Sequence, residues 1–177
     1  MVSKILMISF ILILAALLVY VIGFSTSHFI DIEQASSRSY HGGLWVRCET
    51  LHSKIDLTTC QDTAEFFNLG DRAWFKACRA TSILGLIFLF VAIICAGLKL
   101  LAFKEKKDVL QAAIGMTFGA VVFILAAVIV FTQNVEEVAV GLPFDYGFSF
   151  ALTIVGMCIA VIAGVFMVVE CFTGVHE

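Results

Sequence analysis

Apolar residues fall into four long blocks along this chain, and the polar residues gather in the intervals between them. Residues 5–24, 80–98, 109–131 and 148–169 contain no Asp, Glu, Lys or Arg. A hydrocarbon core needs about 20 apolar residues per helical span, so each block is long enough to cross a bilayer. The first block has a rival reading, because Ser25, Thr26 and Ser27 offer small residues for a signal-peptide cleavage site. Its twenty-residue apolar core exceeds the roughly 7–15 residues of such peptides, so it is read as a retained span.

The longest interval, residues 25–79, reads as a folded loop. Residues 28–32, 43–47 and 54–58 alternate loosely between apolar and polar, as half-buried strands do. They predict three short antiparallel strands. Residues 62–67 predict a short helix ended near Gly70, and Asp71 is a good N-cap for the helix after it. That helix opens with Arg72, Trp74, Lys76 and Arg79, two amphipathic turns above the bilayer. A connector at 99–108 joins the second and third spans, and a second polar loop at 132–147 joins the third and fourth.

Composition narrows the class. Of 177 residues, 61% are hydrophobic and 14% charged, against about half and a quarter in soluble domains. The spans use nearly half the chain and leave no room for a separate soluble catalytic domain, so residues 1–177 read as one four-span unit. The net charge of -3 is small and divided by region, which does not point to nucleic acid. The connector holds Lys99, Lys104, Lys106 and Lys107, whereas the second loop holds Glu136, Glu137 and Asp145 and no base. The positive-inside rule therefore places the connector and both termini in the cytoplasm. The six bases of the first loop are balanced by seven acids, and its cysteines suit an oxidising compartment.

Little in the chain suggests chemistry. His28, His41, His52 and His176 have no metal-site spacing, and no Cys-x-x-Cys accompanies them. No nucleophile stands beside a base and acid, and no glycine-rich phosphate loop precedes a helix. The expectation is a protein with no catalytic residues, metal or cofactor. Uncharged spans argue against a transport path through the bundle. Gly115 and Gly119, with Gly156, Ala160 and Gly164, place small residues at helical spacing, where they let helices approach closely. Cys95 and Cys171 fall near the cytoplasmic face, as candidates for reversible palmitoylation. The acids Asp56, Asp62, Glu65, Glu136, Glu137 and Asp145 are candidates for lining a path between cells, although a charge run is commonly a solvated face.

The most informative stretch is His41-Gly42-Gly43-Leu44-Trp45-Val46-Arg47-Cys48, followed by Cys60. Gly42 and Gly43 allow a tight turn or a close backbone approach, and Leu44 and Trp45 form a large apolar knob. Bonding Cys48 to Cys60 would close a loop of about a dozen residues, worth roughly 3 kcal/mol by chain entropy.

Gly43-Leu44-Trp45, two residues, Cys48 and then Cys60 resembles the signature of the claudin superfamily. That group includes claudins, epithelial membrane proteins, peripheral myelin protein, lens fibre membrane proteins and the calcium-channel gamma subunits. Arg79 in Cys78-Arg79-Ala80 matches the family's arginine at the entrance to the second span. Three features depart from the pattern. Phe29 stands where the family has its first tryptophan, eleven residues separate Cys48 from Cys60, and the C-terminal Tyr-Val that docks on PDZ scaffolds is missing.

The resemblance implies an all-α membrane protein: a four-helix bundle topped by a small extracellular antiparallel sheet with a Cys48–Cys60 disulfide. It implies a cell–cell contact protein at the plasma membrane that forms or organises junctional strands or paracellular barriers. The alternatives are an auxiliary subunit of a channel or receptor and a membrane organiser of the epithelial-membrane and myelin type. Its implied partners are membrane lipid and either other copies of itself, in cis or trans, or related four-span proteins. A channel or receptor is the partner under the alternative.

Overall fold

The computed structural model describes residues 4–34, 38–51, 57–66, 69–102, 107–139 and 142–173. Four helices long and apolar enough to cross a membrane make the body: α1 (Lys4–Ser25), α3 (Ala73–Leu101), α4 (Lys107–Ala139) and α5 (Phe148–Thr173). The remaining helix, α2 (Thr63–Phe66), is one turn long and is followed by a 3-10 turn at Leu69–Asp71. Helix α1 packs chiefly on α5 and α3 on α4, with α4–α5 and α1–α3 contacts completing the bundle.

The chain does this by keeping one narrow stripe of each helix inside. In α1 the buried positions are Leu6, Ser9, Ile13, Ala16, Tyr20 and Gly23. In α3 they are Phe75, Cys78, Ser82, Gly85, Leu89, Ala92 and Ala96. Both stripes step alternately by three and four residues, the heptad spacing of left-handed coiling. Ile11, Leu18, Phe90, Val122 and Phe166 lie outside such stripes and are exposed, facing where lipid belongs. Association inside a bilayer depends on packing and hydrogen bonds more than on apolar burial. Ala16, Ala92, Ala96, Ala113, Ala120, Ala160 and Ala163 accordingly fill the seams with no exposed surface. Between helices, the Tyr20 hydroxyl donates to the Ser82 carbonyl at 2.9 Å and the Cys78 thiol to the Ala127 carbonyl at 3.5 Å.

One end of the bundle carries a five-stranded antiparallel sheet, larger than the three strands expected. Its strands are β1 (Ile30–Gln34), β2 (Arg38–Gly42), β3 (Val46–Leu51), β4 (Leu57–Asp62) and β5 (Asp145–Tyr146), ordered β4-β3-β2-β1-β5. The expected strands at 28–32 and 43–47 start too early. His28 and Phe29 form the link from α1, and Gly43 to Trp45 make the turn between β2 and β3. Of 54–58, residues 54–56 lie outside the described residues and 57–58 open β4. Strand β5 ties the second loop into the sheet through Ile30↔Tyr146 and Asp31↔Asp145.

Two helix boundaries also differ from expectation. The N-cap of α3 is Arg72 and makes no side-chain capping bond; Asp71 instead ends the 3-10 turn, with its carboxylate 3.7 Å from Lys76. Helix α4 runs on to Ala139, through half of the expected second loop. Thirty-three residues span about 50 Å at 1.5 Å each, well beyond a hydrocarbon core of about 30 Å. The surplus stands beside the sheet and supports it.

Candidate functional site: the junction between sheet and bundle

The β2–β3 turn is held by its main chain. Its four successive carbonyls, Gly43 to Val46, all accept hydrogen bonds. The Thr63 hydroxyl donates to Gly43 at 3.0 Å, Arg79 Nε to Leu44 at 3.0 Å and the Thr63 N–H to Trp45 at 3.1 Å. The Gly43 N–H closes the turn on Val46 at 2.9 Å. Unpaired backbone groups at the edge of hydrocarbon are costly, so pairing these carbonyls helps the turn sit directly on the bundle. Gly43 is required there by space: a Cβ would lie 2.5 Å from the Thr26 carbonyl oxygen and 2.7 Å from Ser27 Cα.

The turn's side chains finish the joint. Leu44 is 1% exposed, in a cluster with Phe29, Ile30, Ile32, Leu69, Phe75, Cys78 and the sheet end of α4. Phe29 meets Phe131 and Phe150 edge-on. The Trp45 ring lies edge-on to Phe24 at 5.2 Å. Arg79, one helical turn after Phe75 on α3, places its guanidinium 4.5 Å from the Phe75 ring centre and 4.9 Å from that of Trp45. The same guanidinium reaches Asp62 at 3.2 Å. Asp62 in turn accepts from the Ala64 N–H at 2.7 Å and so caps α2. Partial burial works against ionisation of Asp62, but the Ala64 N–H and the Arg79 guanidinium together hold its carboxyl below the usual carboxylate range.

Two further ties brace this end of the molecule. Glu137, on the surplus of α4, accepts from Trp74 Nε1 at 3.1 Å and lies 3.9 Å from Arg72, which joins α4 to the start of α3. At the entry to β1, the His28 N–H donates to Ser149 Oγ at 3.1 Å, and the Ser149 N–H returns to the His28 carbonyl at 3.1 Å. Beyond the junction, Cys48 and Cys60 face each other across β3 and β4 and form a disulfide. Their row continues across the sheet as His41, Asp31 and Asp145. Strand β4 ends the sheet and is exposed along its whole length.

The structure thus gathers Phe29, Gly43, Leu44, Trp45 and Arg79 at one joint, with the Cys48–Cys60 staple next to it. The small residues lie apart, in the bundle. A Cβ on Gly119 would meet the Phe88 ring at 2.7 Å, one on Gly156 the Tyr20 nitrogen at 3.0 Å, and one on Gly164 the Phe118 ring at 3.0 Å. Ala160 has no exposed surface. Gly115 corrects the expectation of a packed pair with Gly119, since a Cβ there would meet nothing within 4 Å. Cys95 and Cys171 lie half-buried toward the end of the bundle away from the sheet.

Of the acids, Asp62 belongs to the joint, Glu137 ties α4 to the start of α3, Asp145 faces Asp31, Glu65 and Glu136 are exposed, and Asp56 lies outside the described residues. Sequence reasoning placed Asp62 and Thr63 in a short helix but gave neither a part in holding the turn. Their signal is an Asp-Thr pair just after the second cysteine, where a strand gives way to a helix.

A four-span membrane protein with a stapled sheet locked onto one end of its bundle is the class these features define. The family model described as "PMP-22/EMP/MP20/Claudin family" matches residues 1–167, and the chain belongs to that family. Comparison with individual curated proteins finds no match.

Proposed function

We propose that this protein works by contact at the plasma membrane, with both termini in the cytoplasm and the sheet outside. In this reading the sheet meets other copies or related four-span proteins in the same or the facing membrane, and so organises junctional strands or paracellular barriers. The observation that carries it is the rigid mounting of the sheet. The β2–β3 turn, the Asp62–Arg79–Trp45 joint and the packing of Val135 and Ala139, on the surplus of α4, against Ile30, Ile32 and Leu44 hold it to the bundle, while β4 is left exposed on its far edge. A sheet held this way can pass force or register from one molecule to the next, which a mobile loop cannot. The positive connector supports the orientation, and so does the disulfide. Cys95 and Cys171 are then on the cytoplasmic side, where acyl transfer takes place.

The test mixes cells expressing the protein in two colours with cells that lack it. Concentration only at borders between two expressing cells is the expected result. Even distribution over every surface would overturn adhesion and redirect the search to a channel or receptor, sought by co-purification and changed currents.

A further inference from the structure

An imidazole on the link from α1 to β1 stacks on one from β2, and the joint uses neither ring. The rings of His28 and His41 stack at 4.2 Å with 6° between their planes. His28 Nδ1 lies 3.0 Å from Asp31 Oδ1, so its N–H donates to the carboxylate. On its other side, the His28 ring meets Phe148 at the start of α5 at 4.9 Å. The main chain of His28 is itself the tie to Ser149. The stack therefore bridges β2, the entry to β1 and the first turn of α5.

We propose that the His28–His41 pair is an acid-operated latch: proton uptake by both rings drives them apart and loosens the sheet from α5. Asp31 is placed to balance one positive charge on the pair. A second would set two imidazolium rings face to face at the stacking distance. Among the described side chains, the charged groups on this side are Asp31 from β1 and Asp145 from β5; β3 contributes the non-titrating Cys48 and α5 the Phe148 ring.

The direction follows from the chemistry of His41. Burial disfavours its charged form and the facing His28 adds to this, with Asp31 opposing, so His41 titrates below the ordinary histidine value. Unfolding then takes up protons as pH falls below about 6.5. The stability that neutral His41 supplies is complete above that pH and is lost on descending through its own lower value. Histidine is suited to such a device because small environmental shifts move it across this range.

The test is thermal melting of the full chain in lipid nanodiscs between pH 7.5 and 5.5. The unmodified protein should lose roughly 2–4 °C across that interval, the shift that goes with a modest destabilisation in a chain of this size. His41→Phe keeps a stacked ring that cannot titrate, and should flatten the step; Asp31→Asn removes the counter-charge and should deepen it. A flat profile in the unmodified protein, or an unchanged step in His41→Phe, overturns the latch.

If His41→Phe does not fold, amide exchange of the unmodified protein decides, after correction for intrinsic rates. Opening at pH 5.5 should rise in β1, β2 and β5 relative to the stapled β3–β4 pair. An equal response in all five strands overturns the proposal.

Discussion

Arg79 Nε donates to the Leu44 carbonyl at 3.0 Å, so a residue of the second span grips the backbone of the sheet's central turn. The guanidinium is then shared among that carbonyl, the Asp62 carboxylate and the faces of Trp45 and Phe75. No other cation offers this combination, since only the planar fork donates in two directions while stacking on rings.

Arg79→Lys should therefore fail to substitute. It keeps the charge but loses the Nε donor and the stack, leaving the Leu44 carbonyl unpaired at a cost of roughly 1–3 kcal/mol. The exposed arm to Asp62 adds little. A fall in melting temperature nearly as large for Lys as for Ala is the expected outcome; a stability equal to wild type would remove Arg79 from the joint.

Replacing either disulfide cysteine tests the staple. Cys48→Ser and Cys60→Ser should each destabilise the sheet by roughly 3 kcal/mol and hold the protein inside the cell. The double variant should be no worse than either single one. Surface labelling measures delivery, and normal delivery of the single variants would count against the disulfide's structural part.

Two glycines make a matched pair of alanine substitutions. Gly43→Ala drives a methyl into the Thr26 and Ser27 backbone, neither of which can give way, so folded protein should be largely lost. Gly115→Ala puts the methyl in open space on a helix and should be neutral, or stabilising by up to about 1 kcal/mol through helix propensity. Size-exclusion yield and melting temperature separate the two, and equal behaviour would contradict the placement of the turn.

Acid below the histidine range probes Asp62. Its carboxyl is held below the usual value, so its contribution is present above about pH 3.9 and is lost as pH falls through its depressed value. Asp62→Asn should flatten that limb of a melting profile taken from pH 5 to 3. The change should be small, because the side chain is 47% exposed; an unaltered limb would separate Asp62 from Arg79 in function.

Much of this architecture was legible in advance. Four blocks without charge are enough to specify four spans, because the cost of a charge in hydrocarbon acts on each residue separately. The cysteines and Gly43-Leu44-Trp45 stood out because glycine and thiol have properties few other residues can replace, whereas Arg79 stood out through the resemblance to the claudin superfamily.

What escaped was relational. Arg38–Gly42 has no alternating apolar face to mark it, yet it is a strand, because β1 and β3 supply partners on both sides. Asp145–Tyr146 is too short to be read as a strand without Ile30 and Asp31 opposite it. Helix α4 passes residue 131 without a break because the fall in hydropathy there is a change of solvent, not of backbone preference.

The sequence by itself determined the spans, the glycine turn and the cysteine pair that follows it, since each rests on the chemistry of single side chains. Tertiary structure alone decided that Gly119 packs while Gly115, one turn away, does not, and that His28 meets His41. Those outcomes depend on helix rotation and strand register, which are settled by what lies opposite.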